Sequence, residues 1–439
     1  MAMVVKNNMS ALSTLNTLNR NTKALSKSLQ KVSSGMKINS AADDASGYAI
    51  SERMRVQIRS LDQANSNAQN GGSMMKVAEG AVSSTVEILK TLKEKAVNAA
   101  NDTNTDADRQ TIQKELDQSI DQINDNANVT FNGQYLVDGS KNSKTDATCT
   151  ALTNQSLDEN TDDNTKLTEL KARNGDSLNI QSTDTITVSW VKDGKTYTGS
   201  TKVEAQTLDG ALKAIKDGSN YLSADITLKQ SKKSFIAVDG SGNSVYTASG
   251  ESALTLVSSG TGINNQISGF TISITDNTGA VRKSANAALD AFDETLRAQN
   301  KSEDNSINLQ IGTKANQTIK VGLTDMKAQA LGLQGKNNDT IQVGNQEQAN
   351  AAINVLDAAI QKALDQQTTI GAVQSRLEYT QTNLTTASEN VTAAESTIRD
   401  ADMAKEMTEY TKNNVLMQAA QSMLAQANQS SSNVLSLLQ

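Results

Sequence analysis

Apolar positions near the start of the chain recur every three or four residues, through Ala11, Leu15, Leu18, Thr22, Leu25, Leu29, Val32 and Met36. Alternating spacings of four and three are the seam of a coiled coil, so the pattern predicts a helix that pairs along this stripe. No glycine precedes Gly35 to interrupt it. After residues 33–50, SSGMKINSAADDASGYAI, the period returns in Ile50, Met54, Ile58 and Leu61, and then in Met75, Ala78, Val82, Leu89, Leu92 and Ala96. This predicts a second, longer helix. A third begins near Thr105, where Thr-x-x-Asp with Asp108 is a capping signal, and carries Ile112, Leu116, Ile120, Ile123 and Ala127 on one face.

The far end mirrors the beginning. Ile370, Val373, Leu377, Thr380, Leu384, Ala387, Val391, Ala394, Ile398 and Ala401 keep the same spacing, and a separate helix from Gln348 to about Gln366 carries Ile353, Leu356, Ile360 and Leu364. Past Gly371 neither glycine nor proline occurs. Within STIRDADMAKEM the stripe moves onto Met403, Met407, Tyr410, Met417 and Leu424, which predicts a break near Asp400 to Asp402. Between the ends the texture is different. At NVTFNGQYLV, Asn132-Gly133 separates two short β-prone runs, a strong hairpin signal. From about Lys141 to Ser302 the chain is rich in Ser, Thr, Gly, Asn and Asp, and TITVSWVKDGKTYTGS, FIAVDGSGNSVYTA and FTISITDNTGAVRKS each read as a hairpin. One helical piece, TLDGALKAIKDG, interrupts them, and weaker strands follow in LQIGTKANQTIKVGLTDM.

Terminal seams of this length cannot be buried by one helix alone, so the two ends must pair. The predicted fold is mainly α: a long antiparallel coiled-coil bundle of the N- and C-terminal segments, with a small β-hairpin element and a mostly β outer domain inserted in the middle. Five segments follow: 1–43, the first seam helix and the joint after it; 44–140, the second and third helices and the hairpin; 141–302, the mostly β outer insertion; 303–401, the return to the helical body up to the break; and 402–439, the last seam helix. In a monomer Leu12, Leu15, Leu18, Val434, Leu435, Leu437 and Leu438 would leave apolar stripes exposed, and such stripes imply a partner. The simplest is another copy. A contact between unlike faces propagates as a helical polymer instead of closing.

Composition narrows the function. The 439 residues contain no proline, where average usage would give roughly 20, no histidine, and one cysteine, Cys149. Long unkinked helices suit the missing proline. Missing histidine removes the commonest general base and metal ligand, and with it any His-Glu-x-x-His protease. A lone cysteine forms no internal disulfide. A net charge of −7 and a pI near 5.0 give no field for nucleic acid or an anionic membrane surface. No run of 18 apolar residues predicts membrane insertion, and the N-terminus lacks a basic and apolar signal-peptide pattern, so the expectation is a chain that is cytoplasmic or that leaves the cell by a route that reads no cleaved signal.

Asp43 and Asp44 stand together among small residues, as a catalytic or metal-binding pair would. Adjacent residues on a regular element point apart, and no base or ligand partner lies near them, so no catalytic, metal or cofactor site is expected. Gly35 and Gly47 read as breakers around a joint, with Asp43 or Asp44 capping the helix that follows. The acidic run LDENTDDN, Leu157 to Asn164, lacks the spacing of a calcium loop and reads as a solvated turn.

Several long stretches together resemble bacterial flagellin: SSGMKINSAADDASGYAISERMRVQIRSL, AEGAVSSTVEILKTLKEKAVNAAN, the FNG at Phe131 to Gly133, and the tail from ESTIRDADMAKEM to SSSNVLSLLQ. The resemblance covers about 140 N-terminal and 130 C-terminal residues; the insertion matches no named pattern. It implies an extracellular filament subunit whose termini form an inner coiled coil around a channel, including Leu15, Leu18, Leu25, Leu29, Met417, Leu424, Val434, Leu435, Leu437 and Leu438. Gly35, Asn39, Asp43, Asp44 and Gly47 would form the connector packed between neighbours. It also implies type III export, an export chaperone, a filament cap and hook junction proteins as partners, and O-linked sugars on the outer domain. A host toll-like receptor grips the family's core helix, and the matching positions are Leu89, Thr91, Lys93, Glu94 and Lys95, with Glu115 further on. Thr91 stands where the family motif has arginine and Lys95 where it has leucine, which implies weak recognition. A hook-filament junction protein shares these helical ends and is the main alternative; a coiled-coil adhesin or secretion translocator is another.

Overall fold

A computed structural model describes residues 8–204, 206–217, 220–231, 235–247 and 252–437. Leu438 lies outside these residues, and Val434, Leu435 and Leu437 lie outside those whose side chains are described. Five long helices carry the ends of the chain: α1 (Met9–Ser34), α2 (Ala45–Ala99) and α3 (Asp106–Ala127) at one, and at the other α7 and α8, whose ranges are given below. Between them lie the hairpin β1 (Thr130–Phe131) and β2 (Gln134–Tyr135), then β3 (Ala151–Asn154), β4 (Thr185–Lys192), β5 (Lys195–Lys202) and α4 (Leu208–Ala214). The chain continues through β6 (Lys216–Asp217), β7 (Asn220–Tyr221), α5 (Leu222–Asp225), β8 (Ile226–Ser231), β9 (Phe235–Val238), β10 (Ser244–Tyr246) and β11 (Ala253–Ser258). Then come β12 (Ile267–Thr275), α6 (Lys283–Leu289), β13 (Phe292–Leu296), β14 (Ile307–Gln310), β15 (Thr318–Val321), α7 (Gln346–Arg399) and α8 (Met403–Leu437).

These elements form two compact units. The first comprises the described residues of 1–68, 310–317 and 379–439; the second comprises those of 69–309 and 318–378. In the second, Met75, Val82, Leu89 and Leu92 of α2, Leu116, Ile120 and Ile123 of α3, and Val355 and Leu356 of α7 are buried, as their 3.6-residue period requires. The predicted capping box starts α3: Thr105 Oγ1 accepts from the Asp108 N–H at 3.3 Å, and Asp108 Oδ2 accepts from the Thr105 N–H at 3.0 Å. The β1–β2 turn has φ of 49° at Asn132 and 75° at Gly133, the mirror-image turn for which this dipeptide is suited.

Two antiparallel sheets dominate the insertion, one ordered β13-β3-β11-β8 and the other β12-β4-β5. Their apolar faces share one core with α4 and α6, built around Trp190, Phe270, Ile186, Ile274, Leu212 and Leu289. Trp190 stacks on Tyr197 with ring centroids 5.5 Å apart, and its Nε1 donates to Asp225 Oδ2 at 3.2 Å. A buried indole N–H thus has its acceptor.

Three local expectations change. FTISITDNTGAVRKS is not a hairpin: after β12 only Thr275 and Val281 bridge, and the chain turns into α6, whose Ala285, Ala288 and Leu289 enter the sheet core. Burial of the SANAAL face outweighs the β signal of the preceding turn. The separate helices predicted before and after Gly371 are one helix, because Val355, Leu356, Ile370 and Leu377 lie on a single buried stripe and packing overrides one glycine's propensity cost of about 1 kcal/mol. Gly47 does not break a helix but lies in the first turn of α2.

Candidate functional site

The first unit contains a joint in which two chain reversals meet. Helix α1 ends at Gly35, whose φ of 71° is the left-handed cap conformation that glycine adopts without strain; its N–H donates to the Lys31 carbonyl at 2.9 Å. Helix α7 ends at Arg399, and α8 begins after Asp400 to Asp402, where the sequence predicts a break. The two reversals are stitched together by backbone. Lys37 N donates to the Arg399 carbonyl at 2.7 Å, Ala401 N donates to the Gly35 carbonyl at 2.9 Å, and Met36 bridges Asp400.

The adjacent carboxylates divide their work. Asp44 Oδ1 accepts from the Ser46 and Gly47 N–H groups, each at 3.0 Å, and so caps α2. Asp43 turns back: its Oδ2 accepts from the Asn39 N–H at 3.3 Å and from the Ser40 N–H and hydroxyl at 3.2 Å, while Lys27 Nζ lies 3.5 Å from Oδ1. Desolvation pushes the Asp43 carboxyl up, but those Ser40 and Asn39 donors and the Lys27 charge outweigh it and leave it below the usual aspartate range. Asn39 also donates from Nδ2 to the Met36 carbonyl at 3.4 Å. A Cβ on Gly47 would meet Asp44 Oδ2 at 2.6 Å and Ile38 Cδ1 at 2.7 Å, so a larger residue there would push aside the capping carboxylate or the buried Ile38. Among the described residues no group of three acidic or cysteine side chains could hold a metal ion. The carboxylate pair is built into a joint.

Arg399 ties the joint to α2, and the sequence reading passed over it. Its Nη1 donates to Glu52 Oε1 at 2.6 Å, and the guanidinium lies 5.3 Å from the Tyr48 ring centroid. That contact holds Glu52 below its ordinary pKa. Arg55 adds a second tie to α7, with Nε 3.0 Å from Glu395 Oε1. On the other side of the joint, Asp402 Oδ1 accepts from the Ala404 and Lys405 N–H groups at 3.0 and 3.2 Å and caps α8. A signal existed: an arginine directly before a predicted helix break has its carbonyl and guanidinium free for tertiary use.

Helices α1 and α8 pair, with every second layer of the α1 seam one residue earlier than the spacing predicts. Burial along α1 follows Ala11, Thr14, Leu18, Asn21, Leu25, Ser28 and Val32; along α8 it follows Glu406, Tyr410, Asn413, Met417, Ala420, Leu424 and Ala427. Leu18, Leu25, Met417 and Leu424 therefore sit in the seam, whereas Leu15 and Leu29 are exposed outside it. Polar bonding explains the shift. Asn21 Nδ2 donates to the Leu416 carbonyl at 3.2 Å, Asn413 Nδ2 to Ser28 Oγ at 3.1 Å, and Lys31 Nζ to Glu406 Oε1 at 3.3 Å. Left over on the surface are Met9, Leu12, Leu15 and Leu29 of α1, and Met403, Met407, Val415, Leu416 and Met423 of α8.

The positions matched to receptor contacts are mostly engaged within the second unit. Leu89 is fully buried in the helical core. The Thr91 hydroxyl donates to the Glu87 carbonyl at 3.1 Å, Lys93 pairs with Asp357, and Lys95 Nζ lies 2.9 Å from a Glu115 carboxylate oxygen. No helix among the described residues is long and apolar enough to cross a membrane.

Comparison with known proteins follows the same two ends. Residues 5–142 match the bacterial flagellin N-terminal helical region and residues 353–438 match the C-terminal one. Over 97% of this chain and 99% of the relative, the sequence is 36% identical to a flagellin of Clostridium tyrobutyricum. It is 31% identical to a flagellin of Bacillus subtilis over 99% of this chain and all of that one. A solved flagellar hook associated protein-3 of Legionella pneumophila covers 79% of this chain and 98% of its own, at 14% identity and a TM-score of 0.35, too distant to carry an argument. Joint, paired termini and matched regions coincide, and the chain belongs to the bacterial flagellin family.

Proposed function

We propose that this chain is the self-assembling subunit of a bacterial flagellar filament, an extracellular structural protein for swimming motility. The observation that carries the reading is the unsatisfied apolar surface on both members of the α1–α8 pair, on a chain whose two ends match flagellin along their length. A second copy covers that surface, and a contact between unlike faces propagates. In the five-part division set out above, residues 1–43 and 402–439 make the inner contacts, 44–140 and 303–401 the core, and 141–302 the outer surface. The connector Gly35, Asn39, Asp43, Asp44 and Gly47 packs between neighbours, and Leu15, Leu29, Val434, Leu435, Leu437 and Leu438 contribute to the inner coiled coil. Catalysis has no part in this role, and no cofactor is required.

Export by the flagellum's own type III apparatus without a cleaved signal, a chaperone for the C-terminal helix, a cap, hook junction proteins and O-linked sugars on 141–302 belong to the same reading. Host toll-like receptor recognition is weak: Thr91 lacks a guanidinium and is bonded to Glu87, and Lys95 and Glu115 are paired with each other. Purified monomer as potent in a receptor reporter assay as a strongly stimulating flagellin would overturn that part.

Seeded elongation tests the whole. Monomers added to filament fragments should extend them, and a chain lacking 141–302 should still do so. Replacing Asp43 and Asp44 together by alanine should lower the yield or heat resistance of filaments, each lost cap or turn bond contributing about 1 kcal/mol. Wild-type monomers that never extend seeds would favour a hook-filament junction protein.

A further inference from the structure

We infer that Asn21, Ser28 and Lys31 of α1, with Asn413 and Glu406 of α8, set the register of the terminal helix pair and keep its most apolar faces available for neighbouring copies. This rests on the filament reading and names the residues that make it specific.

The α1 seam has two alternating layers. One is apolar, made of Leu18, Leu25 and Val32; the other is Thr14, Asn21 and Ser28. Apolar side chains repeating every seven residues hold two helices together without distinguishing one heptad from the next, so a slip of about 10 Å costs such a seam little. The polar contacts do distinguish. Lys31 with Glu406, Asn413 with Ser28, and Asn21 with the Leu416 carbonyl are three different pairings at three successive levels. Sliding α8 by one heptad would set Lys31 against Asn413 and Ser28 against Ala420, leaving the Glu406 carboxylate and the Asn413 amide without those partners. Their positions make this costly: the Glu406 side chain is 15% exposed, and Ser28 is buried.

The same layer decides which face is used. A slight rotation of α1 that kept Leu18, Leu25 and Val32 in the seam but set Leu15, Thr22 and Leu29 in place of Thr14, Asn21 and Ser28 would make the intramolecular pair more apolar, which a helix following hydrophobicity alone would do. It would also withdraw Leu15 and Leu29 from the surface. The polar layer holds α1 in the less greasy of the two phases, a use of seam polar groups in which stability is exchanged for choice of partner.

A charge exchange tests this in two settings. Lys31→Glu and Glu406→Lys each place like charges where the ion pair stands, and each should speed amide exchange along α1 about tenfold and slow seeded elongation by a similar factor. The double variant, with the pair restored in reverse, should recover to within about threefold of wild type in both measurements. Singles that behave as wild type, or a double no better than the singles, overturn the proposal. A second variant guards against simple misfolding: Asn21→Leu with Ser28→Leu should retain or raise helicity while losing elongation, and unchanged elongation overturns the proposal. Wild-type monomers that fail to elongate would defeat the filament reading alone, since exchange in the monomer still reads the register.

Discussion

Around Trp190, two sheets and two short helices leave Phe270, Ile274 and Leu289 at 2% exposure or less, whereas Leu12, Leu15 and Leu29 on α1 stand 51%, 41% and 52% exposed. The two regions use their apolar residues for different ends. The sheet core closes on itself, and its one indole N–H and its aromatic stack are satisfied within the unit. The α1–α8 pair spends its seam on polar contacts and offers much of its apolar surface outward. A protein that must fold and then join many copies of itself needs both kinds of surface, and the division keeps them on separate units.

Substitutions should therefore separate stability from assembly. Trp190→Ala removes a fully buried ring and should lower the stability of the second unit by about 3–5 kcal/mol, read as an earlier thermal unfolding transition. Seeded elongation by the first unit's surfaces should change much less at temperatures where the variant remains folded. Leu15→Ser with Leu29→Ser should do the reverse. Exposed in the monomer, they should alter its unfolding by roughly 0.5 kcal/mol or less, yet each loses burial worth about 1.5–3 kcal/mol in a contact between copies. The critical concentration for elongation should rise tenfold or more. Equal effects of both sets on both measurements would erase the distinction between the regions.

Much of this arrangement is legible in the sequence because long periodic elements carry redundant information. The α3 cap at Thr105 and Asp108, the Asn132-Gly133 turn, the break before Met403 and the buried stripe from Met75 to Ala96 each follow from residue type and spacing. The phase of the terminal seam did not. Hydrophobicity favours Leu15 and Leu29 over Thr14 and Ser28, and only the partner groups on α8, nearly 400 residues away, make the polar phase the better one. Arg399 was hidden for a similar reason: its value lies in Glu52, Tyr48 and the Lys37 N–H, all brought to it by tertiary structure. The joint itself was visible as a pair of aspartates between glycines. That Asp43 folds back while Asp44 caps forward, and that Gly47 is needed for close approach instead of helix breaking, depends on Ile38 and Ser40 being in place.

Acid and alkali offer the finest contrast between the two units, because each holds a carboxylate shifted in an opposite sense. Asp43 in the joint lies below its ordinary value of 3.8, so its contribution is fully present above that value and is lost as pH falls through the lower, folded one. Glu294 in the second unit is the opposite case. Its side chain is only 8% exposed, and burial pushes its carboxyl above the ordinary 4.5 against the opposing charges of Arg297, 3.2 Å away, and Lys362. A carboxyl raised in the folded state favours folding while protonated, so that contribution is present below 4.5 and is lost as pH rises through the folded value. Glu294→Gln should flatten this loss, shifting the second unit's unfolding midpoint by at most about 3 °C over the interval. Arg297 keeps Asp365 as a partner at 2.9 Å, which limits the cost of the substitution. The scan should end below the value of about 8 to which burial pushes the Lys362 ammonium down, and the effect is read as the difference between Glu294→Gln and wild type, because Asp290, pushed up by burial to about 6, and Asp325, also raised by burial, ionise in the same unit in both proteins. Asp43→Asn should flatten only the acid limb of the first unit. If Glu294→Gln leaves the pH slope of the second unit unchanged, its carboxyl is not the group that ionises at a cost there, and the contrast reduces to one of packing.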